Sequence, residues 1–177
     1  GHSLGGLFCT YAYLNQHDTF KGFIAMDPAL NWDNYACENM LKALPDDAPN
    51  FNCKLYISSA HNAPEGKADR GPLRKSQDSF TKELNKKGVN NTAFEVFEKE
   101  IHLTVPYPSL YAGLAFIFAD YYIFKNPGFR EELSYIKGYY KHLSEQYGLQ
   151  ILPPENLIEM IGKYLLNERF HKWNGFG

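Results

Sequence analysis

The chain has little cysteine. Its three thiols, Cys9, Cys37 and Cys53, are too few and too widely spaced along 177 residues for a disulfide framework or a CxxC metal motif. Cys9 falls on the apolar face of a predicted helix, where we expect it to pack as a small hydrophobic residue. We therefore expect no metal site, and the sequence indicates no cofactor.

An excess of charge and a long hydrophobic run are also missing. Lys and Arg number 18 against 20 Asp and Glu, and no basic stripe is present, which argues against a nucleic-acid partner. No run reaches the ~18 apolar residues of a membrane span. The sequence has no initiator Met and begins within a motif, so we expect further residues upstream of Gly1.

The composition that is present is typical of one globular domain. Apolar residues make up 44% and charged residues 21% of the chain. Aromatic residues reach 16%, with 13 Tyr and 13 Phe, which predicts a core or a cleft rich in rings.

Helices and strands alternate over the first 126 residues. Three short apolar runs are predicted to be buried strands: Gly22–Met26, Lys54–Ser59 and Ala93–Glu98. Helical spacing follows the glycine-rich start and recurs over 33–44, 72–87 and from 106 onward. In the last of these helices we expect a buried apolar stripe, formed by Leu110, Leu114, Ile117, Phe118 and Tyr121. Strands joined through helices indicate an α/β fold with a mostly parallel sheet and right-handed crossovers.

The pattern changes after Asn126-Pro127-Gly128. One amphipathic helix is predicted up to Gly148, and a second begins at Pro153-Pro154-Glu155. We expect residues 127–177 to form a helical extension, a hairpin of two helices appended to the sheet.

The first five residues, Gly1-His2-Ser3-Leu4-Gly5, match the GxSxG pattern of a nucleophile elbow. Such a turn joins a strand to a helix and holds its serine at the carboxyl edge of the sheet. We expect Gly1 and Gly5 to flank Ser3 because a side chain at either position would collide with the neighbouring strand or helix. Ser3 is the candidate nucleophile, and the backbone amide of Leu4 is the candidate oxyanion donor.

A serine needs a base, and His102 is the candidate. The base is expected in a loop after the last strand of the sheet, and His102 lies between Glu98 and Pro106. Five other histidines fit this place less well: His2, His17, His61, His142 and His171.

The acid that would orient His102 is less sharply defined by the sequence. Glu65 is the first candidate, since it lies with Asp69 in the loop after the second strand, where this acid is usually found. Asp27, at the end of the first strand, is a further candidate. A Ser–His dyad with no acid is also consistent with the sequence.

Together these features resemble an esterase family of α/β-hydrolases that includes the ferric-siderophore (enterobactin and salmochelin) esterases. The matching segments span about residues 1–125: GHSLGGLF (1–8), FKGFIAMDPAL (20–30), WDN (32–34), LYIS (55–58) and HLTVPYPSLYAGL (102–114). Where family members often have Gly or Ser after the histidine, this chain has Leu103. It also has the longer segment 61–66 in place of a short Gly-Asn-Glu.

The resemblance implies a partial α/β-hydrolase domain over residues 1–126, corresponding to the C-terminal part of such an esterase. It implies hydrolysis of a small-molecule carboxylic ester through an acyl-enzyme on Ser3, with His102 as general base. It also implies a secreted, periplasmic or cell-envelope location. Because the strand before the elbow is missing from the sequence, we expect this chain alone to be inactive, to self-associate or to need a partner chain that supplies strands.

Other functions use the same scaffold. A non-catalytic binding or interaction module would keep the fold without turnover, whereas acyl transfer and peptide hydrolysis share the acyl-enzyme. The substrate pocket would separate these reactions, and Trp32 and Tyr107, together with Tyr35, are the candidate substrate-binding residues.

Overall fold

The structure is a computed structural model, and it describes residues 1–45, 51–61, 71–121 and 133–173. The chain divides into two compact units, Gly1–Ala119 and Asp120–Gly177. The boundary predicted at residue 126 lies outside the described residues. None of the described helices is both long and apolar enough to cross a membrane.

The first unit alternates helices with strands, as the apolar runs predict. Its elements in chain order are α1 (Leu4–Asn15), β1 (Gly22–Met26), α2 (Ala36–Ala43), β2 (Lys54–Ala60), α3 (Gly71–Lys86), β3 (Thr92–Phe97) and α4 (Pro106–Ile117). A short 3₁₀ turn (Ala119–Tyr121) spans the boundary between the two units. The three strands form one parallel sheet in the order β1-β2-β3. The predicted α/β fold is confirmed.

One face of the sheet is covered by α1, α2 and α3. Phe23 and Ala25 of β1 point to this face together with Leu55 and Ile57 of β2, because alternate residues of a strand share a face. The helices contribute the other large side chains of the core, among them Tyr13, Leu14, Leu41, Phe80 and Leu84. Strand β2 is buried along nearly its whole length, which is typical of a central strand with helices on both faces.

The opposite face is covered by α4, which approaches β1 closely. Ile24 packs where α4 has Gly113, and a Cβ added at Gly113 would come within 2.8 Å of the Ile24 side chain. The reverse holds at Gly22, where an added Cβ would lie 2.7 Å from Ile117. Small residues at these two contacts therefore set the distance between the helix and the strand.

The buried face of α4 differs from the predicted stripe. The structure buries Ser109, Gly113 and Ile117, and the Ser109 hydroxyl donates a 2.6 Å hydrogen bond to Ser58 Oγ. Of the predicted stripe only Ile117 is buried, while four members are at least 40% exposed: Leu110, Leu114, Phe118 and Tyr121. The expectation was wrong because the close approach to β1 requires small side chains, which turns the large ones away from the sheet.

Helix α2 begins three residues later than the sequence predicts. Asp33, Asn34 and Tyr35 have φ angles of 48°, 49° and 63°, all in the left-handed region. A right-handed helix cannot include such residues, so α2 starts at Ala36.

The second unit contains the two predicted helices, α5 (Leu133–Tyr147) and α6 (Glu155–Trp173). Gly148, at φ 66°, ends α5 in the left-handed conformation that favours glycine. The two helices share a small core formed by Ile136, Tyr140, Leu143 and Leu157. The Ser144 hydroxyl accepts a 2.9 Å hydrogen bond from the Ile151 amide and so ties the connection back to α5.

Candidate active site

The turn at Ser3 joins an extended segment to α1. Gly1 to Ser3 lie parallel to β1, because the Met26 amide donates to Gly1 O (2.8 Å) and the Ser3 amide donates to Met26 O (3.0 Å). Ser3 has φ 55° and ψ −116°, a strained conformation for a residue with a side chain, and α1 starts at Leu4. The segment therefore occupies the sheet position next to β1 and holds Ser3 at the carboxyl edge.

Two glycines are required by close contacts in this turn, but they are not the two expected. A Cβ added at Gly1 would lie 2.2 Å from Gly5 O, as predicted. At Gly5 an added Cβ would meet nothing within 4 Å, so the expected collision there was wrong. Gly6 takes that role instead, because its Cβ would lie 3.0 Å from the Cα and Cβ of Pro28.

Asp27 follows β1 directly and is fully buried. Its Oδ1 accepts hydrogen bonds from the Ala60 amide (3.1 Å) and from Gln77 Nε2 (3.0 Å). The carboxylate thus joins the ends of β1 and β2 to α3. These donors stabilise a negative charge that would otherwise be costly to bury.

His102 lies in the turn that precedes α4, and its side chain is 35% exposed. His102 Nδ1 lies 2.6 Å from Asp27 Oδ2. A carboxylate accepts, so Nδ1 carries a proton. In the neutral form of the ring, Nε2 then has the lone pair that can accept a proton. Such an arrangement is the orientation that a general base needs.

His2 connects the turn at Ser3 to His102. Its Nε2 donates a 2.8 Å hydrogen bond to the backbone carbonyl of His102, and the two imidazole rings lie 4.4 Å apart between centroids. Ser3 is the next residue after His2, and the Ala29 amide donates to Ser3 O (3.1 Å) two residues after Asp27. The three candidate residues Ser3, Asp27 and His102 therefore lie at one edge of the sheet.

Gln77 was missed by the sequence reasoning, although a signal was present. It is fully buried on α3 and donates both to Asp27 and to Pro28 O (3.0 Å). Phe80 and Leu84 follow it at helical spacing in the buried stripe of α3. A polar amide within an apolar stripe indicates a buried partner, but the sequence does not say which one.

The other acid candidates, Glu65 and Asp69, lie outside the described residues.

Leu4, the candidate oxyanion donor, is the first residue of α1. Its N–H therefore has no acceptor within the helix and points out of the helix N-terminus. His61, at the end of β2, pairs with Glu98 through a 2.5 Å contact from Nδ1 to Oε2.

The proposed pocket aromatics are accessible. Trp32 is 60% and Tyr107 is 81% exposed, and Tyr35 is also exposed. Trp32 lies in the turns that follow Asp27, and Tyr107 lies in the first turn of the helix that follows His102. Within the described ranges, no three or more His, Cys, Asp or Glu side chains are grouped so that they could hold a metal ion.

The strained turn at Ser3 thus lies at the same sheet edge as a hydrogen-bonded pair formed by the buried Asp27 and the partly exposed His102. The α/β fold of the chain matches part of several solved hydrolase structures. An IroE-like serine hydrolase from Shewanella oneidensis superposes with a TM-score of 0.66 at 22% identity, over 96% of this chain and 53% of that protein. The siderophore hydrolase EstB from Aspergillus nidulans gives 0.56 at 18% identity, over 70% of this chain and 48% of EstB.

A second siderophore hydrolase from Aspergillus nidulans, EstA, gives a TM-score of 0.50 at 22% identity, over 66% of this chain and 45% of EstA. The chain thus spans about half the length of each of these structures. No protein-family model matches the chain, and no curated protein matches it by sequence.

Proposed function

We propose that the protein is a serine hydrolase that cleaves carboxylic esters, with Ser3 as nucleophile, His102 as general base and Asp27 as the acid that orients the base. The observation that carries this proposal is the 2.6 Å hydrogen bond between His102 Nδ1 and the buried Asp27 carboxylate. It leaves His102 Nε2 able to accept a proton, next to a turn that holds a serine in a strained conformation.

In the reaction, His102 Nε2 takes the proton of the Ser3 hydroxyl as Oγ attacks the ester carbonyl carbon. The negative charge on the carbonyl oxygen is stabilised by the Leu4 amide at the N-terminus of α1. His102 then gives its proton to the leaving alkoxide, and the acyl group stays on Ser3. His102 Nε2 then deprotonates a water that attacks the acyl carbonyl carbon. The bond between the acyl group and Ser3 Oγ breaks, His102 returns the proton to Oγ, and the carboxylic acid is released.

Asp27 acts while His102 carries the extra proton. The imidazolium is then hydrogen-bonded to a carboxylate that Ala60 and Gln77 hold in place from the other side. We favour Asp27 over Glu65 because a single carboxylate suffices for this role and the Nδ1 of His102 is already engaged by Asp27.

Two observations support a substrate class: the names of the similar solved structures and the exposed aromatic residues that follow Asp27 and His102 in the sequence. EstA and EstB are named siderophore hydrolases, which makes siderophore esters the first natural substrates to test. Trp32 follows Asp27 by five residues and Tyr107 follows His102 by five, and both rings are exposed. Such rings suit a substrate with flat or apolar parts.

The test uses the natural protein that carries this chain, a fluorophosphonate probe and a panel of p-nitrophenyl esters. We expect the probe to label the protein and Ser3→Ala to abolish both labelling and turnover. Ser79→Ala is the matched control, because Ser79 lies on α3 and its hydroxyl bonds Glu38 (2.8 Å), away from His102. Unchanged labelling of Ser3→Ala would refute the assignment of the nucleophile.

A further inference from the structure

We propose that His2 is a positioning residue for His102: it fixes the backbone of the base relative to the nucleophile. This inference rests on the proposed function. His2 Nε2 donates to the His102 carbonyl oxygen at 2.8 Å, and the rings lie 4.4 Å apart with a tilt of 38°. The side chain of His2 thus contacts both the main-chain carbonyl and the imidazole ring of His102.

His2 can do this because it is itself anchored. The residues on either side of it, Gly1 and Ser3, are hydrogen-bonded to Met26 of β1 at 2.8 and 3.0 Å. Its own position pairs with Met26 as a parallel bridge. These bonds therefore fix the main chain of His2 to the sheet edge that also holds Ser3.

The anchoring complements what Asp27 does. Asp27 accepts a hydrogen bond from His102 Nδ1, which sets the tautomer of the neutral ring and fixes the position of one ring atom. The backbone hydrogen bonds of the turn that contains His102 end on Ile101, because the Thr104 and Val105 amides both donate to Ile101 O at 3.0 Å. His2 supplies a contact to the His102 carbonyl that comes from the elbow itself.

The same hydrogen bond limits what His2 can do. A carbonyl oxygen only accepts, so His2 Nε2 must carry its proton. That nitrogen is therefore unable to act as a second base towards Ser3. The effect of His2 passes through the position of His102, and a misplaced base is a sufficient cause of slow catalysis.

Two substitutions separate the hydrogen bond from the ring contact. His2→Phe keeps an aromatic ring and removes the donor, whereas His2→Gln keeps an N–H donor and removes the ring. We expect His2→Phe to lower kcat roughly ten-fold with KM within about two-fold, and His2→Gln to recover kcat to within about three-fold of the wild type. Thermal melting of each variant reports whether it is folded.

The Ser3→Ala variant in the same series keeps the two proposals apart. Turnover that persists in Ser3→Ala overturns both of them. Loss of turnover in Ser3→Ala together with a wild-type kcat in His2→Phe overturns the role of His2 alone. Equal losses in His2→Phe and His2→Gln also overturn it, because the donor would then not be the feature that matters.

A measurement on the unmodified protein removes any dependence on folding of the variants. In ¹⁵N-histidine NMR spectra at neutral pH we expect His2 to carry its proton on Nε2 and His102 to carry its proton on Nδ1. A neutral His2 with its proton on Nδ1 cannot make the 2.8 Å hydrogen bond to His102 and would overturn the proposal.

Discussion

Replacing Asp27 by Asn should leave the protein folded and nearly inactive. The reason is that Oδ1 of Asp27 accepts two hydrogen bonds, one from the Ala60 amide and one from Gln77 Nε2. In Asp27→Asn the amide oxygen must take the Oδ1 position, since an NH₂ group there would face two N–H donors. The NH₂ group then faces His102 and donates to its Nδ1.

This orientation forces His102 into the wrong tautomer. With Nδ1 accepting, the proton of the neutral ring moves to Nε2, and His102 can no longer take the proton of Ser3. A triad histidine in the wrong tautomer lowers kcat by roughly 10³–10⁴-fold. Because the hydrogen bonds of position 27 to Ala60, Gln77 and His102 are kept and only their charge assistance is lost, we expect the free energy of unfolding to fall by only about 1–2 kcal/mol.

The assay is steady-state hydrolysis of a p-nitrophenyl ester, with urea unfolding for the stability. Glu65→Gln is the matched control, because it removes the carboxylate that the sequence favours as the acid. We expect this control to keep kcat within about two-fold of the wild type, because His102 Nδ1 is engaged by Asp27. The reasoning is refuted if Asp27→Asn keeps a kcat within ten-fold of the wild type, and more sharply so if Glu65→Gln loses it.

Two further predictions concern packing and thiol chemistry. Gly6→Ala should lower the free energy of unfolding by about 1–3 kcal/mol, because the new Cβ would lie 3.0 Å from the Pro28 backbone. Gly5→Ala is the matched control: its Cβ meets nothing within 4 Å, and alanine should raise the free energy of unfolding by up to about 1 kcal/mol because it is a better helix former than glycine. Equal melting temperatures of the two variants would contradict this contact. Burial raises the pKa of Cys37 and of Cys53 to about 11, so roughly one of these thiols in 10,000 is ionised at pH 7. Both should react with a disulfide reagent far more slowly in the native than in the urea-unfolded protein, and a rapid native reaction of two thiols would show that they are accessible.

The strands were predictable because their apolar character is local. Gly22–Met26 forms the strand that the sequence predicts. The second strand ends one residue later than predicted, and the third begins and ends one residue earlier. The buried face of α4 was not predictable in this way. Burial there depends on how near the helix comes to β1, and Gly113 permits an approach that the large side chains on the helix would prevent.

Local sequence patterns predict two of the three candidate site residues, but they do not single out the acid. Ser3 follows from a short motif, and His102 follows from its place after the last strand, although both roles stay predictions. The acid depends on contacts between distant segments. Asp27 and His102 lie 75 residues apart, and only the three-dimensional structure shows that their side chains meet.

The path of the loop after β3 explains why Asp27 is the partner of His102. Strand β2 lies between β3 and β1, so the loop that leaves β3 must cross the end of β2 to reach Asp27. The His61 amide, just beyond β2, donates a 3.1 Å hydrogen bond to Glu100 O and holds the loop at that crossing. His102 follows two residues later and arrives at the end of β1. A loop that stayed above β2 would instead bring the histidine towards the segment after Ala60, where the sequence places Glu65. The pairing of His102 with Asp27 thus depends on the strand order and on the path of this loop, neither of which a sequence pattern encodes.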